Sequence, residues 1–121
     1  MRILIIIICS LFISNAYASI YCPATITCNY EAGTCDDITG WSIGGTGSGF
    51  TGTKTMYLSK IWTMKLSQKY MFNCIYDSNF MIQRYVEQLI GDGWTFSGFG
   101  KSIAECSNVT RDTNNPQCSA E

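Results

Sequence analysis

The sequence contains no histidine. That removes Ser-His-Asp and Cys-His catalysis, the commonest metal ligand and the usual near-neutral general base. No C-x-x-C occurs, which argues against a closely paired cysteine zinc site and against a thioredoxin-like redox site. Charged residues are only 14% of the chain and form no basic run. Nucleic acid and anionic membrane surfaces both require clustered Lys and Arg, so the sequence alone points to neither as a partner. No internal repeat or linker marks a second domain.

What is present begins with a leader. Arg2 precedes the apolar run Ile3 to Ile13, and Ala16-Tyr17-Ala18 follows with small residues at both positions a signal peptidase reads. This pattern predicts a secretory signal peptide over 1–18, cleaved after Ala18. The run is about half of the roughly 20 residues a spanning helix needs. Cys9 follows Ile8, where a lipoprotein signal wants a small residue. The expected organisation is therefore a signal peptide, then one domain over 19–121 that is secreted or periplasmic. No membrane insertion is expected after cleavage. Removing Arg2 leaves seven basic against nine acidic residues, a weakly acidic chain.

Cleavage also removes Cys9 and leaves six cysteines: Cys22, Cys28, Cys35, Cys74, Cys106 and Cys118. An even count in a small exported chain reads as a disulfide framework. Of the many connectivities, the one favoured here closes two local loops, Cys28–Cys35 and Cys106–Cys118, and ties the N-terminal segment to the chain centre through Cys22–Cys74.

The best-patterned stretch is Trp62 to Tyr76. Its even positions, Trp62, Met64, Leu66, Tyr70, Phe72, Cys74 and Tyr76, are apolar or aromatic, and most odd positions are polar. Such alternation predicts two strands of an antiparallel hairpin with the even residues on the core. No Asn-Gly or Asp-Gly fixes the turn. Ile20 to Thr27 reads as an extended edge segment, with Pro23 against a central position. Ile38 to Ile43 is a short strand candidate, Gly44 to Gly52 a glycine-rich loop, and Lys54 to Leu58 a strand leading into the hairpin. Residues 80–90 alternate apolar and polar pairs, a helical pattern with caps available at Ser78 or Asn79 and at Gly91. A strand continuing the meander is the competing reading. Trp94 to Phe99 is expected to close the sheet, and the polar residues from Ser107 to form a loop.

The order Tyr21-Cys22-Pro23, Ile26-Thr27-Cys28, Trp41, Phe50, Cys74-Ile75-Tyr76, Trp94, Cys106 and Cys118 resembles small exported proteobacterial proteins of unknown function, which open on Tyr-Cys-Pro and close on two cysteines. The chain departs from them in having Ser119 after its last cysteine. The resemblance implies export and a β-rich, disulfide-bonded domain, tilts 80–90 towards strand, and implies no activity.

The remaining constellations are weak. Gly47-x-Gly49-x-x-Gly52 matches a dinucleotide fingerprint formally, but Thr53 to Leu58 alternates like a strand where that motif needs a helix. Asp36 and Asp37 are adjacent and point apart in an extended chain, nothing in the sequence brings Glu87 to Asp92, and Ser59-Lys60 face opposite ways in a strand. The aromatics are the notable surplus. Most belong to a core, while Tyr57 and Trp94 are candidate partner contacts, since Tyr and Trp anchor interfaces. The expectation is a mainly β fold, a small antiparallel sheet or sandwich stapled by disulfides, with one helix near 80–90 left open. Its expected role is a non-enzymatic binding module for a protein or glycan partner, with no cofactor, no metal and no nucleic acid. The alternatives are a small carboxylate-dependent hydrolase and a structural cell-envelope component.

Overall fold

The computed structural model describes residues 19–46 and 51–121. The leader at 1–18, and Gly47, Gly49 and Phe50 of the glycine loop, lie outside the described residues. Ten strands follow in order: β1 Thr25–Asn29, β2 Thr34–Cys35, β3 Ser42–Gly45, β4 Thr53–Lys65, β5 Tyr70–Tyr76, β6 Phe80–Val86, β7 Leu89–Ile90, β8 Trp94–Ser97, β9 Ile103–Cys106 and β10 Ser119–Ala120. β4 is the spine. β5 pairs along one side of it; β1 pairs with its first half and β9 with its second half on the other side. The main sheet runs β2-β1-β4-β5-β6-β3, with β8 attached through β9, and all these pairings are antiparallel. The chain is mainly β, as expected.

The buried face does not follow the even positions throughout. Met56 and Leu58 are buried, but beyond them it is Ile61 and Thr63 that are buried, while Trp62 is half-buried and Met64 exposed. The cause is a bulge. Leu58 faces Tyr76 and Lys60 faces Ile75, so Ser59 is an extra residue with no partner of its own. One extra residue moves every later side chain to the opposite face. Ser59 holds the bulge closed, because its hydroxyl donates to the Ile75 carbonyl and accepts from the Ser78 amide, both at 3.0 Å. On β5 the expected set Phe72, Cys74 and Tyr76 is buried.

Residues 80–90 are strand, not helix. Asp77 and Ser78 both take positive φ, 49° and 67°, and the Asn79 amide returns to the Tyr76 carbonyl. That reversal lays β6 against β5 over its full length, from Tyr76 opposite Phe80 to Tyr70 opposite Val86. The apolar pairs then split across the sheet: Ile82 and Val86 are buried, Met81 is half-buried and Tyr85 exposed. Pairing supplies seven residues with ladder partners, which an isolated short helix would lack. β1 is likewise interior rather than an edge, flanked by β2 and β4.

The core lies between this sheet and a cover made from both ends of the described chain. Ile20 and Ala120 exchange backbone hydrogen bonds, and β10 pairs with β7. Three disulfides, Cys22–Cys74, Cys28–Cys35 and Cys106–Cys118, join the pairs favoured from the sequence. Trp41, Phe72 and Trp94 stack edge to face through the centre, with centroids 5.7 and 5.9 Å apart. The Tyr76 hydroxyl reaches the Pro23 carbonyl at 2.5 Å and pins the cover to the sheet. Gly91 is obligatory: its φ is 100°, and a Cβ there would strike the Gln117 backbone. The loop from Ser107 is ordered by buried Asn115, whose amide bonds the backbone of Thr110 and Thr113.

Candidate functional site

Two chain reversals and the end of a third strand meet at one end of the sheet. β4 turns into β5 through residues 66–69, where the Leu66 amide bonds the Lys69 carbonyl at 2.7 Å. β8 turns into β9 through residues 98–102, and the Lys65 amide donates to the Ser102 carbonyl at 2.7 Å, placing the two turns side by side. The end of β6 completes the group, with Tyr85 opposite Met71 and the Lys69 ammonium 4.1 Å from the centre of the Tyr85 ring.

The β8–β9 turn presents Phe99. Gly98 and Gly100 have φ of 81° and 65°, Lys101 has 55°, and the Lys101 amide bonds the Gly98 carbonyl at 3.0 Å. Glycine takes these left-handed conformations without steric cost, which folds the turn tightly enough to push residue 99 outward. Phe99 is 100% exposed, Tyr85 54%, Phe96 49% and Met64 41%. Met64 and Tyr85 share the outward face of the sheet, whereas Phe96 lies opposite Ala104 on the inward face, beyond the reach of the cover. Apolar side chains thus surround this end from both faces, with Phe99 at the tip. Single exposed apolar residues are ordinary; four of the six large exposed hydrophobics among the described residues at one end are not.

Three lysines stand at the same end, with Glu87 beside one of them. Lys65 ends β4, Lys69 and Lys101 belong to the turns, and among the described residues none of the three has a carboxylate within 4 Å. Of the other four cations among the described residues, Lys54 pairs with Asp77 and Lys60 with Glu105, while Arg84 lies over Trp41 and Arg111 over Tyr57, as Lys69 lies over Tyr85. Glu87 lines a shallow step with Ser67, Gln68 and Lys69, and Glu121 lies behind it, bonded to Gln88.

The two aromatics marked as partner contacts are used within the protein. Trp94 is half-buried against the core and its indole N–H donates to the Ile90 carbonyl at 3.1 Å. Tyr57 is half-buried with the Arg111 guanidinium 4.1 Å from its ring centre. Asp36 and Asp37 are exposed, Asp37 in a left-handed conformation. Among the described residues all six cysteines are in disulfides and no group of three potential metal ligands occurs. Burial raises the Tyr76 phenol far above its ordinary range; Tyr30 is raised by burial and, secondarily, by the charge of Asp77.

No family model matches the chain, and no curated protein or solved structure does. Function therefore rests on the surface just described. Of its parts, sequence reading had no signal for the clustering: Met64, Tyr85, Phe96 and Phe99, with Lys65, Lys69 and Lys101, are spread over 38 positions and carry no motif. The pairings of β4 with β5 and β9, of β5 with β6, and of β8 with β9 bring them together.

Proposed function

We propose that this chain is an exported, disulfide-stapled binding module that engages another macromolecule through the end of the sheet carrying Phe99. The observation that carries this reading is the fully exposed Phe99 ring, held in water by its own turn and accompanied by Met64, Tyr85 and Phe96. Burying one such side chain is worth roughly 1.5–3 kcal/mol, so its exposure is a standing cost that a partner would relieve. Export is supported by the leader and by three disulfides, which persist in oxidising compartments and are rare in the cytosol. The bridges also suit the role: a cross-linked scaffold loses little freedom when it binds.

Equilibrium binding of the labelled mature protein to isolated cell envelopes tests the reading. Saturable binding is expected, weakened about tenfold or more by combining Phe96→Ser with Phe99→Ser, while Asp36→Asn and Asp37→Asn leave it unchanged. Phe99 is fully exposed and Phe96 about half exposed, so the double variant should fold. Equal binding by the double variant would remove this end of the sheet from the function.

A further inference from the structure

Resting on that reading, we infer that the partner is an anionic lipid bilayer, which this end of the sheet meets edge-on with Phe99 as the inserting residue. The shape argues for a bilayer over a protein. A protein partner would meet a flat patch or a groove, but here the apolar groups form a wedge. Phe99 leads from the tip of the β8–β9 turn, Phe96 is set back on one face, and Met64 and Tyr85 are set back on the other. A bilayer interface has no fixed shape and accepts a protruding ring without a prepared pocket. Aromatic residues favour the headgroup level, where Tyr85 can keep its hydroxyl wet.

The charge argument is independent of the shape. The chain beyond its leader is net acidic, yet the three lysines without a carboxylate within 4 Å sit around this wedge. Lys101 is two residues from Phe99 on the same turn. Lys65 is bonded through its backbone to that turn, and Lys69 lies over Tyr85. Their long stems can lie along apolar surface while their ammonium groups reach phosphate. Each lysine held near an anionic leaflet adds attraction that is lost within a Debye length. The scarcity of basic runs in the sequence argued against membranes, but the fold assembles in space what the chain order separates.

The experiment is flotation of the disulfide-bonded mature protein with vesicles of phosphatidylcholine alone and of phosphatidylcholine with one part in three phosphatidylglycerol. Binding to the anionic vesicles at low salt is expected, with much weaker binding to neutral ones and release as salt rises. Phe99→Ser should lower the partition coefficient about tenfold or more. Combining Lys65→Gln, Lys69→Gln and Lys101→Gln should lower it about 100-fold. Lys60→Gln, at the Glu105 pair, should change it less than about twofold. Near-ultraviolet circular dichroism and the absence of free thiols verify that each variant is folded.

No binding to anionic vesicles, or binding indifferent to Phe99 or to the three lysines, overturns the lipid assignment. If envelope binding then persists, still depends on the two phenylalanines and is abolished by protease treatment of the envelopes, the partner is a protein. In that case only the lipid assignment falls. If envelope binding is also indifferent to those residues, the binding-module reading falls with it.

Discussion

Tyr76 shows how one residue sets a condition on the whole fold. Its ring is fully buried and its hydroxyl donates to the Pro23 carbonyl, so ionisation would place a charge in the core and lose that bond. The folded chain therefore keeps this proton well above the pH, about 10, at which an unfolded tyrosine releases it. Below that pH both states hold the proton and the group adds no pH dependence. Above it the unfolded chain binds fewer protons, so stability falls as pH rises, by at most about 1.4 kcal/mol per pH unit. Tyr30, raised in the same direction, adds to the trend. Tyr76→Phe should cost about 1 kcal/mol at neutral pH, by orphaning the Pro23 carbonyl, yet flatten the decline between pH 10 and 11. Brief urea titrations across that range decide it. An unchanged alkaline slope in the variant would mean that another group controls the decline.

At the scale of the element, the bulge in β4 decides which face of the chain is inside. Alternation in the sequence located both strands of the central hairpin and the buried set Phe72, Cys74 and Tyr76, because period-two patterning is a local property of the chain. It misplaced Trp62 and Met64 because a bulge leaves no mark in composition: Ser59 differs from its neighbours only in hydroxyl bonds to residues 75 and 78, which are distant in sequence. Residues 80–90 misled for a related reason. Paired apolar residues satisfy a helical period equally well, and only the reversal at Asp77 and Ser78 selects the strand. The bulge can be tested by removing it. Deleting Ser59 leaves Leu58 opposite Tyr76, Lys60 opposite Ile75 and Ile61 opposite Cys74 as consecutive pairs, so Ile61 and Thr63 keep facing the core by plain alternation. The deletion variant is therefore expected to retain a cooperative urea transition and to form three bridges on oxidative refolding. Ser59→Ala, which keeps the extra residue and loses only its two bonds, should cost about 1–2 kcal/mol and fold normally. Loss of the cooperative transition in the deletion variant, but not in Ser59→Ala, would show that the fold needs the extra residue itself and not only the register it leaves.

Across the whole molecule the bridges hold the core and leave the Phe99 end of the sheet without a cross-link. Cys22–Cys74 spans 52 residues and is buried at both ends, Cys106–Cys118 spans 12, and Cys28–Cys35 spans 7 between directly opposed positions of one hairpin. Restriction of the unfolded chain grows with loop length, giving about 4, 3 and 2.5 kcal/mol in that order. Cys22–Cys74 should exceed its share, since replacing both buried sulfurs leaves a void between the sheet and its N-terminal cover. Paired Cys→Ala variants should therefore lose thermal stability most at Cys22/Cys74 and least at Cys28/Cys35. The last pair also tests how far the two ends of the sheet are independent. Cys28 lies opposite Lys54 near the start of β4, whereas the exposed wedge surrounds Lys65 at its finish. The interior β1–β4–β5 pairings between them do not depend on that bridge. Envelope or vesicle binding should then survive Cys28→Ala/Cys35→Ala within about twofold, even as the melting temperature drops. A matching loss of binding at a temperature where that variant is still folded would mean that the two ends are coupled through the sheet.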